Sequence, residues 1–297
     1  MSTIAELVQL LDLDILEVNL FRGHNPPESW PFRTRVFGGQ VLAQALVAAQ
    51  RTVETATAHS MHAYFILAGD PQIPIVYQVE RVRDGRSFAT RRVVAVQHGR
   101  PIFIMSVSFH IAEEGLDHQM AMPDGVPPPE EVPSARDLPA ELLDALAPSV
   151  RNYWTRPRPV ELRPVGLMQR LVAGNDAPPA EPVQRVWFRA DGALPDDPAI
   201  HRAVLAYASD MTLLETTTVV HGTSVLGDRI QAASLDHALW LHRPLKADDW
   251  LLYVQDSPSA HGARGLARGL IYDRAGRLVA SVAQEGLIRP VSPTAAS

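Results

Sequence analysis

The chain has 297 residues, 46% hydrophobic and 20% charged, enough for one large or two ordinary globular domains that each bury a core. Its formal net charge of −6 is spread along the sequence, which leaves no electrostatic footprint for nucleic acid or an anionic membrane. With no cysteine, it has no disulfides, no thiolate metal site and no cysteine nucleophile.

From the N-terminus, Ile4, Leu7, Leu11 and Ile15 recur at helical spacing and predict a helix over 4–17, followed by a turn-rich entry at Arg22-Gly23-His24-Asn25-Pro26-Pro27. No basic leader precedes that helix, and no segment approaches the roughly 18 uninterrupted apolar residues of a membrane span, so a cytoplasmic protein is expected. Gly38 to Gln50 carries an apolar stripe of Val41, Leu42, Ala45, Leu46 and Ala49, with Gly38-Gly39 at its start, and predicts the first strong helix. Strands are expected near 60–67, 74–83, 87–97 and 101–110. In the last, Phe103, Met105, Val107 and Phe109 alternate with Ile104, Ser106 and Ser108, giving one strongly apolar face.

Between 112 and 160 the composition changes, with nine of the 25 prolines and the run Pro127-Pro128-Pro129. A long connection is expected, broken by a short helix at 138–147. Strands follow near 160–167 and 183–190, then a helix over 199–209, then strands near 230–241, 250–257, 263–273 and 277–288. The order repeats that of the first half. The organisation read from this is an N-terminal unit over 1–112, a Pro-rich connection over 113–159 and a C-terminal unit over 160–297, each an α+β unit with a sheet wrapped around one helix.

The repeat is legible residue by residue. Gly85-Arg86-Ser87-Phe88 and Gly99-Arg100 are echoed by Gly262-Ala263-Arg264-Gly265 and Gly276-Arg277, and Phe37-Gly38-Gly39-Gln40-Val41 lines up with His201-Arg202-Ala203-Val204-Leu205. On those registers Asp210 falls opposite Leu46 and Gln284 opposite Val107. A carboxylate and an amide placed in only one copy suggest a site built in that copy.

Asp210 ends the apolar run Ala203-Val204-Leu205-Ala206-Tyr207-Ala208, where burial would raise its pKa and suit a general base; a turn residue satisfied by backbone amides would carry the same signature. Gln284 shares a strand face with Leu278, Ala280 and Val282, so its amide points inward and needs partners, in a site or in a structural network. Ser234 opens a strand that is the counterpart of Ser60-Met61-His62. Gly38-Gly39 at a helix N-terminus could serve an oxyanion, or close packing. Arg81, Arg83, Arg86, Arg91 and Arg92 cluster about one turn and could meet phosphates or pair across strands. His237 and His242 read as structural, and no metal-ligand spacing occurs. A G-x-S-x-G elbow and a G-x-G-x-x-G loop are both missing.

Val36-Phe37-Gly38-Gly39-Gln40, Arg83-Asp84-Gly85-Arg86-Ser87-Phe88, Tyr207-Ala208-Ser209-Asp210, Leu235-Asp236-His237-Ala238-Leu239-Trp240, His242-Arg243-Pro244 and Gln284-Glu285-Gly286 occur in one order between about Phe21 and Arg289. In these motifs the sequence resembles the acyl-CoA thioesterase II family. The resemblance implies a double hotdog of two tandem hotdog units, and hydrolysis of fatty acyl-CoA to free acid and CoA by direct water attack. It implies Asp210, Ser234 and Gln284 as a catalytic trio, with serine standing where bacterial members often carry threonine; the hydroxyl is kept and the rotamer-restricting methyl is lost. Gly38, Gly39 and Gln40 are implied at the oxyanion and Arg86 and Arg264 as CoA contacts. No metal or redox cofactor is implied, and a homodimer or homotetramer is.

Two other functions fit parts of this sequence. A hotdog hydratase or dehydratase would need an Asp/His pair, and no histidine follows Asp210 until His221. A non-catalytic acyl-CoA sensor would not need Asp210, Ser234 and Gln284 together. One working site is expected where the halves meet, with a degenerate mirror near Leu46 and Val107.

Overall fold

The computed structural model describes residues 3–26, 35–134, 137–144, 146, 148–166, 181–227 and 229–291. The first helix, α1 (Ile4–Leu11), opens on a reciprocal capping pair, Thr3 Oγ1 accepting from Glu6 N and Glu6 Oε2 from Thr3 N. It is shorter than the sequence predicts. Residues after Asp12 turn into β1 (Asp14–Glu17), which pairs with β2 (Leu20–Gly23) through a tight turn with Asn19 at φ 60°. Ile15, fourth apolar residue of the helical period, is 72% exposed there. With no apolar surface to cover it, strand pairing decides its conformation. The turn-rich entry therefore begins only after Gly23.

Helix α2 (Gly38–Gln50) is buried on nearly every side, because β3 (Thr57–Phe65), β4 (Ile75–Asp84), β5 (Phe88–Gln97) and β6 (Arg100–His110) wrap it. Its buried glutamines are partnered: Gln44 Nε2 donates to Leu10 O at 2.8 Å and its Oε1 accepts from Tyr77 Oη at 2.7 Å. The Pro-rich connection is more structured than its composition implies. It holds a 3-10 turn (Pro129–Glu131), α3 (Ala140–Asp144) and α4 (Pro148–Thr155), the last unforeseen although Pro148 stands at its first position, where the missing N–H costs nothing.

In the second half β7 (Val160–Pro164) and β8 (Val183–Ala190) precede α5 (Pro198–Ser209). The last residue of the first strand expected there, Leu167, lies outside the described residues. Asp197 caps α5, accepting from Ala199 N at 2.8 Å. A 3-10 helix (Leu214–His221) leads on to β9 (Ile230–Ser234), β10 (Asp236–Leu241), β11 (Leu251–His261), β12 (Arg264–Asp273) and β13 (Leu278–Pro290). The single strand expected over 230–241 is broken after Ser234. Leu235 N donates to Glu285 O and the Asp236 carboxylate takes Glu285 N at 2.6 Å, which separates β9 from β10 along β13.

Among the described residues the strands form one antiparallel sheet in the order β1-β2-β4-β5-β6-β3-β10-β13-β12-β11-β8-β7, with β9 beside β13. The order reads the same from either end once second-half strands replace their counterparts, so β3 and β10 meet at an approximate two-fold axis. On the register that makes Ser234 the counterpart of Ser60 (234 − 60 = 174), His237 is the counterpart of Ala63 (237 − 63 = 174). These two residues face each other directly across the β3–β10 pair. Inside the curved sheet α2 packs on α5, and one apolar core runs through both halves from Leu42 and Met105 to Leu205 and Val282. This is the α+β double hotdog.

Candidate active site

The packing of α2 on α5 brings the N-terminus of the first helix to the C-terminus of the second. Asp210 is the C-cap of α5, and the space beside it lies against Gly38-Gly39. A Cβ built on Gly38 would stand 2.7 Å from Asp210 Oδ2 and 2.9 Å from the Phe65 ring, so helix, carboxylate and ring converge on one point. A Cβ on Gly39 would collide with Tyr207 O, a backbone atom that cannot swing aside. Both glycines are there for close approach.

Asp210 Oδ1 accepts from Gln284 Nε2 at 2.6 Å and from Ser234 Oγ at 3.3 Å, and the carboxylate also accepts the Gly39 backbone N–H. β13 aims Gln284 inward and leaves it fully buried; the break after β9 turns Ser234 to the same side. The trio read from the sequence is thus one hydrogen-bonded unit. Burial pushes the Asp210 carboxyl up to about 6, and the bonds from Gln284, Ser234 and Gly39 and the charge of Arg35 act against that rise. At neutral pH the group is ionised yet basic enough to take a proton. Among the described residues Gln284 Oε1 is buried with no hydrogen-bond partner. A water donating one hydrogen to Asp210 would find its second acceptor there.

The other sequence-derived residues divide. Gln40 does not face the carboxylate: its Nε2 donates to His24 O at 3.2 Å and Asn25 Oδ1 at 2.9 Å, and its backbone N–H to Phe37 O. It secures the segment before α2. Arg264 lies at the working end, three residues along β12 from Ala267, the cross-strand partner of Gln284, and it pairs with Glu285 at 3.0 Å. Arg86 is at the other end. It lines a cleft of about 240 Å³ with Thr52 to Ala56, beyond the C-terminus of α2, a helix of 13 residues and hence about 20 Å long.

That opposite end is the mirror of the site. Leu46 and Val107 are buried in the core, and Val107 pairs with Arg91 where Gln284 pairs with Ala267. Arg91, 1% exposed, stands at the mirror position of Ala267. Its Nε donates to Thr52 Oγ1 at 2.7 Å and its other donors to Thr52 O, Arg83 O, Thr90 O and Asp84 Oδ1. Of the remaining arginines in that cluster, Arg81 bonds Asn19 Oδ1 and Arg92 pairs with Glu80, which is the cross-strand role.

Sequence reasoning missed Phe65, Arg35, Tyr153 and Tyr253, all placed near Asp210 by the fold. Arg35 reaches across the halves to Ala232 O at 3.1 Å on β9. His237 is structural, as read: burial lowers its pKa to about 3, so it is neutral, and its Nε2 bonds Ser209 Oγ at 2.9 Å. His242 bonds Ser281 Oγ at 2.8 Å. No group of three or more His, Asp or Glu side chains that could hold a metal ion occurs among the described residues.

Comparison with known proteins gives a consistent result. A family model described as "Acyl-CoA thioesterase" matches residues 155–287, and one described as "Acyl-CoA thioesterase N-terminal domain" matches residues 26–110. Human acyl-coenzyme A thioesterase 8 is 40% identical, covering 94% of this chain and 88% of its own length. Acyl-CoA thioesterase 2 of Haemophilus influenzae is 38% identical, with 95% of this chain and 96% of its own length covered. The crystal structure of the acyl-CoA thioesterase II TesB2 from Mycobacterium marinum superposes with a TM-score of 0.77 at 44% identity, covering 96% of this chain and 99% of that one.

Proposed function

This chain belongs to the acyl-CoA thioesterase family, and from that premise we propose that it hydrolyses fatty acyl-CoA to free fatty acid and CoA at the site around Asp210. The observation that carries this reading is the Asp210 carboxylate held by Gln284 and Ser234 against the positive end of α2.

In the reaction we assign, Asp210 takes a proton from a water that also donates to Gln284 Oε1. The water oxygen bonds to the thioester carbonyl carbon, whose oxygen becomes an oxyanion. As Asp210 gains the proton it becomes a weaker acceptor, and the Gly39 N–H passes from it to the oxyanion, supported by the helix dipole. Collapse of the tetrahedral intermediate breaks the C–S bond, and Asp210 returns the proton to the CoA thiolate. The products are the carboxylic acid and the thiol.

A hydratase is disfavoured because His237, which bonds the residue before Asp210, is fully buried with its pKa lowered to about 3, a poor base already engaged with Ser209. A sensor would have no use for a base tuned to about 6. We take residues 1–112 and 160–297 as the two hotdog units. The assembly we expect is a homodimer or homotetramer in the cytoplasm; no described helix is long and apolar enough to cross a membrane. Thiol release from a panel of acyl-CoAs tests the activity, with Asp210→Ala as the control. Full activity in that variant would overturn the site.

A further inference from the structure

The carbonyls of the two residues next to Asp210 in the chain, Ser209 and Met211, each receive a tyrosine hydroxyl. Tyr253, fully buried on β11, donates to Ser209 O at 3.2 Å. Tyr153, on α4 of the segment joining the halves, donates to Met211 O at 2.6 Å. α5 ends at this point, where the last carbonyls have no intrahelical partner and the helix dipole is negative. A carboxylate among bare carbonyls would be free to drift, and its ionised form would be opposed by every one of them.

We propose that Tyr153 is a positioning residue for Asp210, delivered to the active site by the connecting segment and paired with Tyr253 in holding the backbone on both sides of the base. The Tyr153 ring is itself held firmly. Trp154 beside it packs on the main core, and the two rings meet edge to face at 5.2 Å. The Arg158 guanidinium lies 4.7 Å from the Tyr153 ring centroid and also donates to Tyr153 O, and Arg156 lies 5.0 Å from the same centroid. The hydroxyl is close enough to Asp210 for the carboxylate to disfavour its ionisation, as Glu215 also does, while Arg158 and Arg156 act in the opposite sense; burial is the largest influence, and together with the two carboxylates it outweighs the arginines and raises the pKa. Facing Asp210 from other elements are Arg35, Gln284, Ser234 and the Gly39 N–H, with His237 neutral behind Ser209. The connection is thus part of the catalytic architecture.

This rests on Asp210 being the base. The test compares Tyr153→Phe, which removes only the hydroxyl and keeps the ring contacts, with Tyr253→Phe and Asp210→Asn in a pH series of acyl-CoA hydrolysis. Losing the Tyr153 bond should lower kcat by about ten-fold, the scale of one hydrogen bond, with KM within about two-fold. The apparent pKa of the rate profile should move up, because a bare Met211 carbonyl opposes ionisation of Asp210. Tyr253→Phe should move it the same way. Wild-type kcat in Tyr153→Phe, or a lower kcat with an unmoved profile, overturns the proposal while the base assignment stands. Activity surviving in Asp210→Asn overturns the base assignment and this inference with it.

Discussion

Gly39 and Asp210 belong to different copies of the duplicated unit, and the backbone N–H of the first donates to the carboxylate of the second. The base is thus positioned by one half and supported electrostatically by the other, as expected when two copies of a unit specialise in complementary directions.

The two glycines should respond differently to substitution. Gly38→Ala places a methyl against Asp210 Oδ2 and the Phe65 ring, so kcat should fall at least about 100-fold. The fold should lose little, since that ring can tilt. Gly39→Ala drives a methyl into Tyr207 O and should destabilise the protein by about 1–3 kcal/mol. Thermal melts beside steady-state kinetics separate the two.

The pH dependence of turnover follows from the base. With Asp210 at about 6, kcat/KM should rise through that pH and level off above it. A profile flat down to pH 4 would show that another group takes the proton. Replacing Gln284 by Glu puts a second carboxyl at the bond to Asp210 and should shift the rise to higher pH.

Stability should change with pH in the opposite sense to activity. The folded pKa of Asp210 lies above the unfolded value of 3.8, so its contribution is fully present below 3.8 and is lost as pH rises through about 6. The loss is up to about 3 kcal/mol. In Asp210→Asn that titration is gone. Denaturant unfolding should therefore show the variant gaining on the wild type between pH 4 and pH 8, whichever is more stable at the start.

Ser234→Thr should keep activity within a few-fold, because the hydroxyl that bonds Asp210 is retained. Ser234→Ala should lower kcat by roughly ten-fold, the scale of one hydrogen bond to a charged group. Equal losses in both would place the defect in packing around β9.

At the mirror end the arginines should prove structural. Arg91→Met breaks a buried network and should cost about 3–5 kcal/mol, with kcat of the folded fraction unchanged. Arg86→Ala should leave KM for acyl-CoA unchanged, since Arg86 lies beyond the far end of α2. A raised KM there would mean that substrate reaches the Arg86 cleft.

Much of this protein is legible without coordinates because its signals are local. Strand alternation, apolar stripes and Gly-bearing turns repeat at near-constant offsets, so both central helices, most of the strands, the α+β class and the unequal placement of Asp210 and Gln284 can be read from the order of residues alone. Short amphipathic stretches are ambiguous by the same logic: Ile15 fits a helical period, and only the lack of a surface to cover it turns residues 14–17 into an edge strand. What residue order cannot carry is which helix end meets which. The contact of α2 with α5 brings Gly39 to Asp210, and the packing around it separates Arg86 from Arg264, buries Arg91 in a polar network at the mirror position of Ala267, and lays Tyr153 of a proline-rich connection against Met211. Those relationships arise from packing between segments far apart in the chain, and no local periodicity encodes them.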